Sequence, residues 1–536
     1  MTRGLRPPVS EYEVCDRLPS DQRRYCIGCR PHPYNKSMSQ SPPSTPILST
    51  RRENLILALA CVAQFMVILD VSVVNVALPS IGVSLHYSAT GLQWVVNAYV
   101  LAFAGFLLLG GRAADLFGRR KIFLLGAILF SVASLAGGLA TTSGMMTGAR
   151  VAQGLGGAFL SPATLTIIVT TFQGPRLPKA LGAWGAVGGA GGAIGSLMGG
   201  ILTAELSWRW VLYINIPIGI AVVIGAILWL PEMSRKSESA KLDIAGAVLV
   251  TAGLSTLVYA IVGTATHPWG SGTTLVWLAI GVALLLAFAL VETKIATDPL
   301  VPFSFLVKRT TASSNVVMLL IGSAFFSMWY FLTLYLQEVL GYSALKTGFA
   351  FAPQAVAIIF GAQTASRLMA KIGVWKLIIT GTTLAMIGFF WIGHLSATGS
   401  YFGGVFFPAI LIAFALGLLF SPLAAAATSH VDHTQAGLAS GLLNTSRQIG
   451  GALGLAVLAT IAASATTTAT GGQHPSFGAA TSLATKQALT HGYNLAFLTA
   501  SAICLAAMVA TFLIPRDTGK ASLNAAQMSP QVKSSP

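Results

Sequence analysis

Charge is what this chain has least of. Aspartate, glutamate, lysine and arginine make up 9% of its 536 residues, against 54% apolar residues and a mean hydropathy of +0.73. Soluble domains carry about 25% charge, so a water-soluble globular protein is excluded and an integral membrane protein is required. Acid is scarcer than base, with 16 Asp and Glu against 32 Lys and Arg, a net +16. In a membrane protein such an excess gathers in cytoplasmic loops, so no nucleic-acid partner is expected from it. Cysteine is sparse too. Cys61 and Cys504 lie in apolar runs as small packing residues. Cys26-Ile-Gly-Cys29, with Cys15 and His32 nearby, is one isolated C-x-x-C, and His430, Asp432 and His433 form a solvated loop cluster. No metal site is expected from either. The absence of a P-loop excludes direct drive by ATP.

What is there is a succession of apolar runs. A helix needs about 20 mostly apolar residues to cross a bilayer. Such runs occur at 54–78, 91–111, 121–141, 146–171, 180–204, 209–230, 243–264, 273–292, 313–339, 346–368, 376–395, 403–427, 435–464 and 489–514, fourteen in all. An even number puts both tails on one side. With the tails inside, inner loops and the C-terminal tail carry twenty Lys and Arg from Arg51 onward, and outer loops carry three, Arg209, Lys346 and Lys486. That is the positive-inside pattern, and it predicts cytoplasmic termini. Residues 1–53 form a Pro-, Ser- and Arg-rich tail, read as disordered and lacking the apolar stretch of a secretory signal. Met38 is an alternative start. Residues 54–230 and 313–514 read as two six-helix bundles, 231–312 as a linker with two extra spans, and 515–536 as a cytoplasmic tail.

The loop at 111–121 is GRAADLFGRRK. Gly111 opens it, Asp115 can pair with base, Gly118 permits a tight bend, and Arg119 and Arg120 anchor one face. A short charged loop of this kind can lock one arrangement of two bundles and release another. The plainer reading is inside-positive charge alone. In the span at 146–171, Arg150, Gln153, Gly154 and Gly157 fall at i, i+3, i+4, i+7 and share a helix face. The span at 435–464 repeats the spacing with Asn444, Arg447, Gln448 and Gly451. An arginine at that depth must face a cavity or a partner. Gly185, Gly189, Gly192, Gly195 and Gly199 form a stripe of small residues suited to close helix packing or to a sliding interface.

An ionised carboxylate inside a bilayer costs about 2.5 kcal/mol or more, yet Asp70 stands in LDVSVVNVALPS at 69–80, alone among acids well inside the first bundle's spans. It is the candidate proton-binding group, expected to face the central cavity, and Arg150 is the candidate cation opposing its protonation. Proton and substrate would each have to bind two states differently for coupling to exist. The alternative is a buried structural hydrogen bond. Candidate cavity residues are Trp94, Asn97, Tyr99, Gln153, Asn315, Tyr335, Gln354, Asn444, Arg447 and Gln448, among aromatics including Phe325, Phe326, Trp329 and Tyr330. Aromatic walls with scattered polar groups suit amphipathic organic molecules.

These motifs together resemble the major facilitator superfamily, in particular its fourteen-span drug:proton antiporters. LDVSVVNVALP is similar to that family's first-span motif, GRAADLFGRRK to its loop motif, and Arg150 with Gln153-Gly154 to its proton-transfer motif. GGAIGSLMGG at 191–200 resembles the antiporter motif, with Ser196 where proline is usual. WRWVLYINIPIG at 208–219 and AGLASGLLNTSRQIGGALG at 436–454 match further family patterns. The resemblance covers residues 52–515. It implies an all-α membrane protein of two six-helix bundles and an inserted hairpin. It also implies a non-enzymatic exporter in the lipid bilayer of the cytoplasmic membrane, exchanging drugs or secondary metabolites for protons without a cofactor; a monomer is one expectation, which the sequence does not fix. The span at 403–427 carries none of the acids that such exporters use for dications, so neutral, monocationic or anionic substrates are expected. Proton-coupled uptake of a nutrient shares the fold and differs in direction. A receptor gives no reason for intramembrane charge and normally needs a soluble domain.

Overall fold

The computed structural model describes residues 50–516 apart from 89, 173–175, 232–241, 265–266, 268, 297–298, 301–307, 430–435 and 473–481. Cys15, Cys26, Cys29, His32, Met38 and the cluster of His430, Asp432 and His433 lie outside the described residues, as do the side chain of Asp115 and the surroundings of Gly189.

Every regular element among the described residues is helical. In chain order they are α1 (Thr50–Ser84), α2 (Trp94–Phe117), α3 (Arg119–Gly138), α4 (Ser143–Thr171), α5 (Arg176–Glu205), α6 (Asn215–Trp229, preceded by a one-turn helix at Trp210–Tyr213), α7 (Ile244–Gly263) and α8 (Gly272–Leu290). There follow α9 (Arg309–Leu334), α10 (Ala344–Ile372), α11 (Val374–Ile392), α12 (Phe406–Thr428), α13 (Ala436–Ala469) and α14 (Leu483–Thr511). Among the described residues, thirteen of them stand out as long and apolar enough to cross a membrane. The remaining one is α5, 30 residues long. It carries no charged side chain from Ala180 to Ala204, and its length and apolar sequence fit the fourteenth span. Ser143–Thr171 begins on a Thr142 side chain that accepts from the Met145 N–H, and Ser343, Ser271 and Ser482 cap α10, α8 and α14 in the same way. These caps satisfy donors that a helix start leaves open.

The two halves repeat one another. Arg112, Gly118 and Lys121 between α2 and α3 recur at the same spacing as Arg367, Gly373 and Lys376 between α10 and α11. Both glycines have positive φ, +96° and +85°, which lets the chain turn between helices without a break of more than one residue. The fourth helix of each half carries a Ser-Pro step, Ser161-Pro162 and Ser421-Pro422. In each half the first and third helices grip the C-terminal carbonyls of the sixth. Arg52 Nε donates to Trp229 O (3.1 Å) and Arg120 Nη2 to Ile227 O (2.8 Å). Across the molecule, Arg309 Nε donates to Leu513 O (3.1 Å) and Trp375 Nε1 to Thr511 O (3.2 Å). Positive groups belong at helix C-termini, where carbonyls lack partners and the dipole is negative.

The halves meet along α5–α10 and α2–α13. Away from the arginine-rich end, α5 and α10 pack backbone to backbone. A Cβ at Gly348 would fall 2.5 Å from Ser196 O, and one at Gly200 2.7 Å from Ala344 O. Beside them Gln337 Nε2 donates across the halves to Val76 O (2.8 Å). Nearer the arginine-rich end, Leu109, Ala247, Ala439 and Leu442 form one apolar cluster joining α2, α7 and α13. The hairpin α7–α8 therefore attaches through α7, while α8 is covered over little of its length.

The glycine stripe of α5 is divided. Gly195 and Gly199 close on Ser72 and Val73 of α1, and Gly191, outside the stripe, closes on Ile68. Gly185 and Gly192 meet no neighbouring atom. Close approach to α10 falls instead to Gly200. Ser196 stands in an uninterrupted helix, and its hydroxyl donates to Gly192 O (3.0 Å). A proline there would remove that donor and the backbone N–H together.

Candidate functional site

Four helices and the 210–215 turn bring one charged pair together in the first half. Asp70 hangs from α1 with no exposed surface, and Arg150 from α4 is 2% exposed. Arg150 Nη1 donates to Asp70 Oδ2 at 2.5 Å and to Gln153 Oε1 at 2.7 Å, while its Nε donates to Val95 O of α2 at 2.9 Å. The other carboxylate oxygen, Oδ1, accepts from Gln153 Nε2 (2.7 Å) and Asn215 Nδ2 (2.9 Å). Both amides also reach Ser134 Oγ of α3 (3.1 and 3.0 Å), and that hydroxyl donates to Leu212 O (2.8 Å). The Arg150 guanidinium lies 4.4 Å from the centre of the Tyr99 ring.

The chemistry follows from this count. A buried charge is tolerable only if paired and hydrogen-bonded. Asp70 has its opposite charge on one oxygen and two amide donors on the other. Arg150 has a carboxylate, an amide oxygen, a backbone carbonyl and an aromatic face. Protonating Asp70 removes its charge and weakens the tie between α1 and α4, while Gln153 and Val95 still hold Arg150.

Arg150 and Gln153 share a helix face and a site, and Asp70 joins them. The expectation that Asp70 faces the central cavity is corrected: it points into the first bundle, toward α3, α4 and α6. Gln153 belongs to the same ionic network. Tyr99 and Asn97 are packed inside that bundle, with the Tyr99 hydroxyl and Asn97 Oδ1 lacking partners there. In the second half, Asn315 Oδ1 accepts from Ser446 Oγ (2.8 Å) and Tyr335 donates to Ser396 O (2.8 Å). Gln354 is 2% exposed with neither amide atom partnered, and Gln448 is buried with an unpartnered Oε1. Trp94, Asn444 and Arg447 keep partly exposed side chains. Arg447 Nη2 donates to Asn444 Oδ1 (2.8 Å). Of the loop motif, Arg120 grips α6, Gly118 makes the turn, Gly111 ends its Cβ direction 3.7 Å from Pro162, and Arg119 opens α3.

Ser134 and Asn215 are the site residues that sequence reading missed. Asn215 stands within WRWVLYINIPIG, a recognised pattern, and was legible as a polar residue opening an apolar span. Ser134 is a lone serine in an apolar helix and carried no signal.

Two six-helix bundles repeating one topology, a two-helix insert and a buried carboxylate–arginine pair define a multi-pass membrane protein of the secondary-transporter class. Residues 60–455 match the family model of the Major Facilitator Superfamily, and the chain belongs to that superfamily, whose members are transporters and not enzymes. It is 44% identical to the cephamycin export protein of Amycolatopsis lactamdurans over 413 residues, 76% of this chain and 85% of that one. It is 39% identical to the puromycin resistance protein of Streptomyces alboniger over 478 residues, 87% of this chain and 93% of that one. Among solved structures, a bacterial homologue of the human lysosomal transporter Spinster superposes with a TM-score of 0.64 at 18% identity. The match covers 88% of this chain and 99% of that one.

Proposed function

We propose that this protein exports an amphipathic antibiotic or secondary metabolite across the cytoplasmic membrane of a bacterium in exchange for protons, by alternating access. The observation that carries the proposal is the sealed Asp70–Arg150 pair with Gln153, Asn215 and Ser134 around it. Relatives that export cephamycin or resist puromycin supply the substrate class and the direction. The arginine-rich end and both termini face the cytoplasm, in keeping with the positive-inside rule. No cofactor takes part; the proton gradient supplies the work.

In this reading a proton from outside neutralises Asp70 and loosens α1 against α4. The bundles then exchange their contact at α5–α10 for one at the opposite end, and the proton leaves to the cytoplasm. Reforming the ion pair favours the drug-loaded state that returns outward. Each ligand acts only through its different affinity for the two states.

The test is drug-triggered alkalinisation of acidified everted vesicles, with puromycin and the cephamycin cefoxitin as probes. Wild type should respond to at least one probe, and Asp70→Asn should insert but not respond. Equal responses in both proteins would return Asp70 to a structural role. Proton-driven uptake of a nutrient, with no response to drugs, would sink export.

A further inference from the structure

We propose that Arg447 is the anion-recognition residue of the substrate cavity, and that the preferred substrates are aromatic or heterocyclic organic acids. This rests on the export reading above and narrows its substrate class.

Two arginines lie deep in the spans, and the structure treats them oppositely. Arg150 is sealed and neutralised by Asp70. Arg447 is partly exposed and, among the described residues, forms no ion pair. Among the described residues its side chain donates to Asn444 Oδ1 and meets the Phe420 ring, 5.3 Å away. A guanidinium carries five N–H donors in a planar fork matched to carboxylate, so most of this fork is unspent. Arg447 sits eleven residues into α13 from Ala436. That is about 16 Å along the helix, near the middle of a hydrocarbon core of about 30 Å. A structural arginine at that depth has a counter-charge or caps a helix end, and Arg447 does neither.

The neighbouring wall has the composition an organic acid needs. Gln448, beside Arg447 on α13, has a buried Oε1 without a partner. One turn further, Gly451 lies against the Phe326 ring, and a Cβ there would come 2.7 Å from it. Trp329, on the same face of α9 as Phe326, stacks on Phe351 of α10 at 6.4 Å. Gln354, one turn from Phe351, is buried with both amide atoms unpartnered. Arg447 thus has Phe420 and Gln448 beside it, and the aromatic rings and unpartnered amide continue from there along α9 and α10. Between residues 313 and 514 the only carboxylates are Glu338 and Asp432, neither on α12 or α13, so nothing on those helices would prefer a cationic drug.

The test uses acid and methyl-ester pairs, cefoxitin and anthracene-9-carboxylic acid each with its ester, titrated onto the purified full-length protein in nanodiscs. Wild type should bind at least one acid about tenfold or more tighter than its ester. Arg447→Gln should lose that preference while keeping its affinity for the ester, and Arg447→Lys should keep part of it. Equal binding of acid and ester by wild type, binding of neither, or a preference that survives in Arg447→Gln overturns the proposal. Ethidium-driven proton movement in vesicles separates the two levels. Wild type that answers ethidium yet shows no acid preference overturns anion recognition and leaves export standing. Wild type that moves protons for none of these compounds takes export down as well.

Discussion

Asp70 and Arg150 meet at 2.5 Å inside the first bundle with almost no exposed surface between them, 80 residues apart in sequence. Removing one member strands the other, at about 3–5 kcal/mol for a buried pair. Asp70→Asn should therefore lower the thermal midpoint of the purified protein and abolish drug-triggered proton movement. The double variant Asp70→Asn/Arg150→Gln should be more stable than the sum of the two single losses, because it strands no charge. Thermal unfolding of all four proteins measures the coupling. Additive losses would show that the two side chains do not act as a pair.

Asn215 and Gln153 both donate to Asp70 Oδ1, and both are anchored on Ser134. Asn215→Ala should leave that oxygen with one amide donor and cost about 1–3 kcal/mol, as for other hydrogen bonds to buried groups. Export should fall with it. Ser134→Ala should cost less, since both amides keep Asp70 Oδ1. Export and thermal midpoint measured in parallel for the two variants check the order. A larger loss from Ser134→Ala would make the hydroxyl the centre of the network.

Most of the fold was legible because a bilayer imposes its own length and apolarity on every span. α5 could be read as a span because no charge interrupts it from Ala180 to Ala204, rich in glycine as it is. Arg150 and Gln153 could be read together because three residues along a helix return to one face. The partners of Asp70 could not. Ser134 and Asn215 reach it from α3 and from the start of α6, and no spacing in the chain reports that meeting. Tyr99, Asn97 and Gln153 were expected on the cavity because a polar group in a span must avoid lipid. Packing inside a bundle meets that demand equally well, and the structure places them there.

Gly348 backs onto Ser196 O so closely that a Cβ would fall 2.5 Å from it, and Gly200 stands in the same relation to Ala344 O. Neither obstacle is a movable side chain. Gly348→Val should therefore wedge α5 from α10 and prevent this end from closing. Export should be lost while the protein still inserts and folds, because each half keeps its own packing. The distance between spin labels at Leu197 and Leu345 should lengthen in the variant. An unchanged distance with full export would mean that the contact is not part of the cycle.

Gly118 and Gly373 occupy equivalent turns in the two halves, with φ of +96° and +85° and ψ of +132° and +160°. An L side chain in that region costs about 1–3 kcal/mol, so Gly118→Ala and Gly373→Ala should destabilise the protein by similar amounts. Their effects on export should differ. Gly118 orients Arg120, whose guanidinium holds the end of α6, the helix that carries Asn215 to Asp70. Gly373 orients Trp375, which holds the end of α14, remote from the ionic site. Gly118→Ala should therefore cut proton-coupled export more than Gly373→Ala at matched stability. Vesicle assays alongside thermal midpoints for both variants decide this. Equal export would confine the glycine–arginine loop to folding and leave the ionic site independent of it.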